Sequence, residues 1–360
     1  MRIVIIGGGL IGLLTARELA RSGQDVIVVE QGEIGGEASW AGGGILSPLY
    51  PWRYPEPVNR LAHWSQQHYP ALAKELLQES GIDPEWTPSG LLILDQNEHE
   101  AAQSWAADYG MPCEVIARKE SAELEPGLRC PGPQALWFPG LAQIRNPRLV
   151  KSLAKACQRA GVALHASTRV TGVTLRGTAV TRVETEKGSL DADRVVIASG
   201  AWSARLVSSL GMELPVRPVR GQMILYHGQP GQVRHINLYQ GQYLIPRQDG
   251  RVVVGSTLEE VDFDKSTTQD ARSDLARFAT DLFPVLADVP IETQWAGLRP
   301  GSPTGIPDIC QVPGIAGLYL NTGHFRNGVV LGLASAHLLA DMLLERPAIL
   351  DPSPYGLDIS

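Results

Sequence analysis

The sequence contains no run of lysine or arginine residues, and acidic residues outnumber basic ones. The 360 residues include 31 Lys and Arg against 38 Asp and Glu, which gives a formal net charge of −7. Nucleic-acid binding needs a concentrated basic surface, so this balance excludes nucleic acid as an expected partner.

Cysteine is scarce, and its spacing matches neither a disulfide scaffold nor a metal site. The four residues are Cys113, Cys130, Cys157 and Cys310, with no CxxC pair among them. A reducing cytoplasm is therefore the expected compartment. None of the eight histidines forms an HxxxH or HExxH pattern, so we expect no catalytic metal.

Long hydrophobic runs are also missing. The longest, near residues 328–344, is interrupted by His337 and Asp341, whereas a membrane span needs about 20 largely apolar residues. The apolar run at residues 3–6 is too short for the core of a secretory signal peptide. We therefore expect no membrane-spanning segment and no secretory leader.

The chain does contain the patterns of a two-domain α/β enzyme. A strand, helix and strand are predicted at residues 3–6, 10–22 and 25–30, and further buried strands at 194–199 and 317–322. Residues 217–260 alternate as an antiparallel sheet does. We predict an α/β plus α+β protein: a Rossmann-like domain of discontinuous segments with an inserted antiparallel-sheet domain. The Rossmann-like part comprises residues 1–80, 141–212 and 290–360, and the inserted part residues 81–140 and 213–289.

The first predicted strand leads into a dinucleotide fingerprint. Gly7, Gly9 and Gly12 satisfy GxGxxG, where glycine permits a tight turn and close approach to a pyrophosphate at a helix N-terminus. Glu30 follows Gly12 by 18 residues at the end of the second strand, where a carboxylate accepts ribose hydroxyls. The motif predicts dinucleotide binding, and Glu30 disfavours NADP, but the choice between NAD and FAD stays open.

Three further glycine turns favour FAD. Gly42 to Gly44 follow the second strand, Gly200 ends the strand at 194–199, and residues 321–328 join the last strand to a long helix. A helix N-terminus at this last turn would stabilise the negative charge of a reduced flavin, which a nicotinamide enzyme does not need.

Together these segments resemble the glycine oxidase family, a branch of the D-amino acid oxidase and sarcosine oxidase-like flavoproteins. The most specific matches are WAGLRPGSPTGIPDI at 295–309 and TGHFRNGVVL at 322–331, beside SGAWS at 199–203. The resemblance implies non-covalent FAD, a homotetramer, and oxidation of glycine by hydride transfer from its α-carbon to the flavin. The products would be an imine that gives glyoxylate and ammonia, and hydrogen peroxide from O2. Several members supply the imine to thiamine thiazole synthesis.

The resemblance also assigns residues to the cofactor. Besides the glycines at positions 7, 9, 12 and 200, its FAD contacts fall on Leu10, Ile11, Glu30, Gln31, Ala38, Ser39, Gly43, Gly44, Ile45, Val170, His324, Phe325, Arg326, Asn327, Gly328, Val329 and Val330.

For the substrate, the resemblance implies that Arg299 binds the carboxylate and that Tyr243 assists it. Arginine suits a carboxylate because it forms paired hydrogen bonds, although an internal salt bridge with Asp308 is the alternative. Arg326 would line the site or hold the flavin loop, and Tyr243 alone would be an ordinary half-buried strand residue. His324 is not expected to act as a base, because a deprotonated amino acid can pass hydride directly to the flavin.

Three departures from the family pattern bear on function. Glu37, Ala38 and Ser39 replace a basic residue and two threonines, which leaves one hydroxyl for the phosphates instead of two. Leu258 occupies an active-site position often filled by Met, so the substrate size preference is open. The cysteine nearest the Arg299 motif is Cys310, so we expect no covalent flavin.

Two other functions compete with an oxidase. A quinone-linked D-amino acid dehydrogenase is the main alternative, and the absence of an amphipathic anchor in the sequence weighs against it. A non-catalytic FAD- or partner-binding module is the other, and a buried arginine at the substrate position weighs against that. Formation of peroxide from glycine in air separates all three.

Overall fold

The computed structural model describes residues 1–357, so the last three residues of the predicted 290–360 segment lie outside the described residues. The strands are β1 (Arg2–Ile6), β2 (Asp25–Val29), β3 (Leu91–Ile93), β4 (Glu114–Ala117), β5 (Gln134–Phe138), β6 (Ala163–His165), β7 (Val170–Arg176), β8 (Ala179–Thr185), β9 (Gly188–Asp191), β10 (Arg194–Ile197), β11 (Arg217–Tyr226), β12 (Ile236–Tyr239), β13 (Gln242–Pro246), β14 (Val252–Gly255), β15 (Ile291–Gly301), β16 (Asp308–Gln311) and β17 (Leu318–Thr322). The α-helices are α1 (Leu10–Arg21), α2 (Ala38–Ala41), α3 (Glu56–Ser80), α4 (His99–Asp108), α5 (Arg118–Leu124), α6 (Asn146–Arg159), α7 (Ser203–Ser208), α8 (Gln269–Leu282) and α9 (Gly328–Leu343).

A six-stranded sheet, in the order β16-β17-β10-β1-β2-β6, forms the first layer of the molecule. Its strands run parallel except β16, which is antiparallel to β17. The central strand β1 is apolar and buried from Ile3 to Ile6 because both of its faces are covered there. Ile3 and Ile5 pack against the helices α1, α3, α6 and α9, whereas Val4 and Ile6 pack on the opposite side. Such continuous burial explains why β1 could be predicted from its sequence.

The second layer is an eight-stranded sheet in the order β15-β11-β14-β13-β12-β3-β5-β4. Its pairs are antiparallel except β12 with β3. Residues alternate between the two faces of each strand. On β11, Ile224 packs with helix α8 and Met223 faces the opposite cluster, which contains Tyr243.

A three-stranded antiparallel sheet, β7-β8-β9, covers the other side of the six-stranded sheet. Val180 and Val183 of β8 join Val4 and Ile6 of β1 in one buried cluster. This packing leaves the carboxyl ends of β1, β10 and β17 turned toward the eight-stranded sheet and the loops between the layers.

The predicted fold class is confirmed: a Rossmann-like parallel sheet is combined with an antiparallel sheet. The assignment of residues 290–360 to the Rossmann-like part needs adjustment, because β15 pairs along its whole length with β11 of the antiparallel sheet. The division into two domains stays a prediction. No helix within residues 1–357 combines the length and apolar character that crossing a bilayer requires.

Candidate active site

A cavity lies between the carboxyl ends of the parallel strands and the eight-stranded sheet. Twenty of the residues predicted from the sequence line it: Gly7, Gly9, Leu10, Ile11, Glu30, Gln31, Ala38, Ser39, Gly43, Gly44, Ile45, Val170, Gly200, Tyr243, Arg299, His324, Phe325, Arg326, Gly328 and Val329. Gly12, Asn327, Val330 and Leu258 are the predicted residues that do not line it.

At one end, the glycine fingerprint allows close packing of β1, α1 and the β10 turn. A side chain at Gly7 would overlap the Ala198 carbonyl, and one at Gly12 would overlap the carbonyl of Gly7. Gly12 therefore acts beneath the cavity, where it lets the helix approach the strand. Gly9 faces the cavity, and the nearest atom to a side chain added there is Ser39 Oγ at 2.9 Å. The free N–H groups at the start of α1 consequently open onto the cavity.

Two polar side chains order this end. The Glu30 carboxylate accepts hydrogen bonds from the amides of Gly8 (2.8 Å) and Gly32 (2.9 Å). Each of its oxygens keeps a further lone pair for a ligand hydroxyl. The Ser39 hydroxyl accepts from the Leu10 amide at 2.7 Å, which leaves its proton to donate into the cavity.

In the middle of the cavity, the glycine loop 42–44 approaches both sheets. Gly44 has a positive φ of 81°, and a side chain there would overlap the Ile144 carbonyl. The buried Arg247 donates to the Gly43 carbonyl at 2.7 Å and to Gln143 Oε1 at 2.5 Å. Burial lowers the pKa of Arg247 to about 10. Arg247 does not line the cavity and thus holds the loop from its other side. This role was not predicted from the sequence.

Helix α9 points its N-terminal end into the same cavity, which Gly328 and Val329 line. His324, in the turn that leads into this helix, is buried, and its Nε2 lies 3.0 Å from the Ser335 hydroxyl. Burial lowers the pKa of His324 to about 3, so its imidazole is neutral at physiological pH. A neutral histidine fixed by a serine fits a structural role better than that of a general base.

Arg299 lies at the opposite end of the cavity, on β15. Its guanidinium donates to the carbonyls of Arg220 (3.2 Å) and Thr257 (3.1 Å) and to the Ser256 hydroxyl (2.7 Å). Burial is the main cause of a lowered pKa at Arg299; the Tyr243 hydroxyl opposes that shift, and the Arg326 charge adds to it. The alternative of an internal salt bridge with Asp308 is wrong, because all three acceptors of Arg299 are uncharged.

Arg326 and Tyr243 complete this end of the cavity. Arg326 donates to the Gly241 carbonyl at 3.2 Å, and Tyr243 is 7% exposed on β13. Within residues 1–357, neither Arg299 nor Arg326 has a carboxylate partner within the 4.0 Å of an ion pair. Two neighbouring guanidinium groups without an internal counter-ion form a site for an anionic ligand.

Leu258 requires a correction. It lies in the loop after β14 with 57% of its surface exposed, so it does not bound the cavity. The methionine at the cavity wall is Met223 on β11, which is 3% exposed. Met223, Gly221 and Gly255 were not predicted from the sequence as site residues. Glycine inside a strand pattern indicates close approach of another group, and that signal could have found the last two.

The cavity fits FAD by its shape and by its polar groups. Glycines keep its walls free of side chains at both turns, Glu30 and Ser39 offer hydrogen-bonding groups at one end, and the N-termini of α1 and α9 face it. Within residues 1–357, no group of three His, Cys, Asp or Glu side chains could hold a metal ion. The fold and site therefore define a flavin-dependent oxidoreductase.

Comparison with known proteins agrees with this class. A family model described as FAD dependent oxidoreductase matches residues 2–342, and the chain belongs to that family. It is similar to the glycine oxidase of Pseudomonas aeruginosa, with 50% identity over 99% of this chain and 98% of that protein. The crystal structure of glycine oxidase from Geobacillus kaustophilus superposes with a TM-score of 0.95 at 30% identity, covering 100% of this chain and 99% of the other. Within the family, the protein is an FAD-dependent amino acid oxidase.

A third relative has a different length. The bifunctional protein ThiO/ThiG of Synechocystis is 32% identical over 96% of this chain, which matches 52% of that longer protein.

Proposed function

We propose that this protein oxidises glycine and small amines or D-amino acids such as sarcosine and D-alanine, with O2 as the electron acceptor. The observation that carries the proposal is the anion site of Arg299 and Arg326 at the end of the flavin cavity. A zwitterionic amino acid offers one carboxylate, and within residues 1–357 neither guanidinium has a carboxylate of the protein within 4.0 Å. The similarity to glycine oxidases supports the same substrate.

In this proposal, Arg299 binds the substrate carboxylate, and its three neutral acceptors hold the guanidinium in place before the substrate arrives. Preorganisation of this kind reduces the cost of orienting the substrate. Tyr243 and Arg326 line the same cavity, and Arg326 is held by its hydrogen bond to the Gly241 carbonyl. FAD, when bound, supplies the acceptor for the hydride of the α-carbon and returns the electrons to O2. The resulting imine hydrolyses to glyoxylate and ammonia.

No protein base is needed in this scheme. The substrate amine loses its proton before oxidation. His324, the histidine that lines the cavity, is neutral, and its Nε2 is hydrogen-bonded with the Ser335 hydroxyl. In this scheme, the residues of the protein bind the carboxylate, orient the α-carbon and exclude water from the cavity.

We also propose that FAD is held without a covalent bond. None of the four cysteines lines the cavity, and Cys310 on β16 is 7% exposed. The glycine turns, Glu30, Ser39 and the N-terminus of α9 supply the contacts instead.

The existence of ThiO/ThiG fusions supports a link to thiazole synthesis. In such a protein, a chain like this one is joined to a second enzyme, as its bifunctional name states. We propose that this protein supplies its imine to a thiazole synthase. A homotetramer and a cytoplasmic location stay predictions from the sequence.

A peroxide assay tests the proposed function. The purified FAD-loaded protein is mixed in air with glycine, sarcosine, D-alanine, D-aspartate or D-lysine, and peroxide, O2 uptake and 2-oxo acid are measured. We expect equal amounts of peroxide and glyoxylate from glycine, and little product from the two charged D-amino acids. Reduction of a quinone analogue by glycine without peroxide would indicate a dehydrogenase. If no amine reduces the protein's flavin under anaerobic conditions, the protein is a binding module.

A further inference from the structure

Met223 lies in a row of residues that crosses three neighbouring strands. It pairs with Gly255 of β14, and Gly255 pairs in turn with Tyr243 of β13. Paired residues of adjacent strands project from the same face of a sheet. The row therefore presents one thioether, one bare backbone position and one phenol to the cavity.

Gly255 forms a notch between the two side chains. A Cβ built on Gly255 would lie 2.8 Å from Tyr243 Cε2 and 3.0 Å from Met223 Cε. The methyl end of Met223 and the ring of Tyr243 therefore both lean over Gly255. This contact places the terminal methyl of Met223 beside one of the residues assigned to the substrate.

On the other side, Met223 pairs with Trp295 of β15, and Arg299 lies four residues further along β15, opposite Val219. The Arg299 guanidinium occupies the space above Gly221, where any side chain would overlap it. Gly221 precedes Met223 by two residues on β11, so both face the cavity, about 7 Å apart along the strand. Met223 consequently stands between the proposed carboxylate ligand and the remaining apolar wall, to which Leu49 and Ile45 contribute.

We infer that Met223 sets the upper size of the substituent that a substrate can carry on its α-carbon or nitrogen. This inference rests on the proposed function, because it takes the carboxylate to be bound at Arg299. A group that extends beyond the α-carbon of such a substrate meets the Met223 side chain. Methionine has a flexible, unbranched side chain, so it yields to one methyl group but blocks a longer chain. A charged substituent would be buried against a thioether that offers no ion partner, which disfavours it further.

The test compares Met223→Ala with Leu258→Ala, the residue to which the family position assigned this role. The substrates are glycine, D-alanine, D-norvaline and N-ethylglycine, and the measurement is the ratio of kcat/KM for each larger substrate to that for glycine. Since a methylene in a fitted pocket changes discrimination by roughly tenfold or more, Met223→Ala should raise the ratios for D-norvaline and N-ethylglycine at least roughly tenfold. Leu258→Ala should leave them at the wild-type value, because its side chain is at the surface.

A binding measurement separates this inference from the proposed function. Acetate, propionate, butyrate and valerate are titrated into the FAD-loaded protein, and their dissociation constants are read from the change in flavin absorbance. Met223→Ala should tighten valerate relative to acetate, while the isosteric Met223→Leu variant, which preserves packing volume, should not. If this shift occurs but no amine is oxidised, the size limit stands and the proposed function fails. If glycine is oxidised but Met223→Ala changes neither set of ratios, or Leu258→Ala changes them instead, the inference is overturned.

Discussion

At the scale of the residue, the active site combines arginines that have few internal partners: Arg247 is buried, whereas Arg299 and Arg326 are half-buried. Arg299, Arg326 and Arg247 all lie close to the cavity or behind it, and each donates to backbone or neutral side-chain oxygens. An arginine desolvated in this way lowers the stability of the folded protein unless a ligand supplies the counter-ion. The arrangement is therefore typical of a binding site, and the carboxylate of a substrate is the natural partner.

Asp308 gives a residue-scale prediction about stability and pH. Burial raises the pKa of its carboxyl to about 6, above the value of an unfolded chain. A raised acid pKa means that the folded state loses stability as pH rises from about 4 through 6, because the ionised form is disfavoured there. Asp308→Asn should remove this loss and raise the free energy of unfolding by about 3 kcal/mol at pH 8, but not at pH 4.

The measurement is denaturant unfolding of both proteins at the two pH values, with kcat/KM for glycine measured in parallel. Catalytic efficiency should stay near the wild-type value, since Asp308 does not pair with Arg299. A variant that loses activity and flavin together would restore the salt-bridge alternative.

The residues of the cavity wall could be predicted from the sequence only in part. Arg299 and Tyr243 could be assigned because their motifs are specific, and the structure brings both to one cavity. Leu258 was assigned by position alone, yet it lies in an exposed loop, and Met223 occupies the wall. Which strand residue faces a cavity depends on cross-strand register, and register forms only when distant segments pair.

At the scale of the element, the cofactor-binding part of the cavity depends on residues outside the cavity that hold its loops in place. The glycine loop 42–44 has no side chains that could hold it in place. Arg247, which directly follows β13, holds the loop by donating a hydrogen bond to the Gly43 carbonyl. The same guanidinium bonds Gln143, whose amide donates to the Pro246 carbonyl at 2.7 Å. The antiparallel sheet thereby positions a loop that belongs to the parallel sheet.

Arg247→Met is expected to weaken FAD binding by roughly tenfold, because it leaves buried oxygens without their donor and frees the loop. The measurement is titration of the apoprotein with FAD, followed by flavin fluorescence. Arg277→Met is the matched control, since that arginine is largely exposed and pairs only with Asp274 on its own helix. Equal FAD dissociation constants for Arg247→Met and the control would show that the loop does not need this anchor.

Elements were predicted well where a pattern is local. The strand β1, the helix α1 and the strand β2 follow from an apolar run, a glycine turn and a second apolar run, and all three are present. The assignment of β15 was less accurate, because its sequence does not reveal that it pairs with β11, about 70 residues earlier. Non-local strand pairing is decided by packing of the whole chain rather than by any one segment.

At the scale of the whole molecule, two sheets meet at one cavity, and each contributes different residues to it. The parallel sheet contributes the glycine turns and Glu30, while the antiparallel sheet contributes Arg299, Tyr243 and Met223. The segments alternate along the chain, so neither half of the sequence contains a complete site. Folding of both layers is therefore required before the cofactor and the substrate can be held together.

Retention of the flavin is a property of the folded whole and supplies a prediction. The purified protein should be yellow, and precipitation with acid or heat should release the flavin into the supernatant, because contacts rather than a covalent bond hold it. The measurement is the absorbance of the supernatant and of the redissolved pellet. Yellow colour that remains with the denatured chain would contradict non-covalent binding.

The central claim is that Arg299 binds the carboxylate of the substrate, and Arg299→Met tests it most directly. Methionine keeps the approximate shape and the burial but removes the charge. Loss of one partner of a buried ion pair costs about 3–5 kcal/mol, which corresponds to a fall of roughly 10²–10³ or more in kcat/KM. Glycine and sarcosine should be affected alike, since both present the same carboxylate, and the FAD content should remain near that of the unaltered protein. A stable variant with a full complement of FAD and near-normal kcat/KM for glycine would contradict the account.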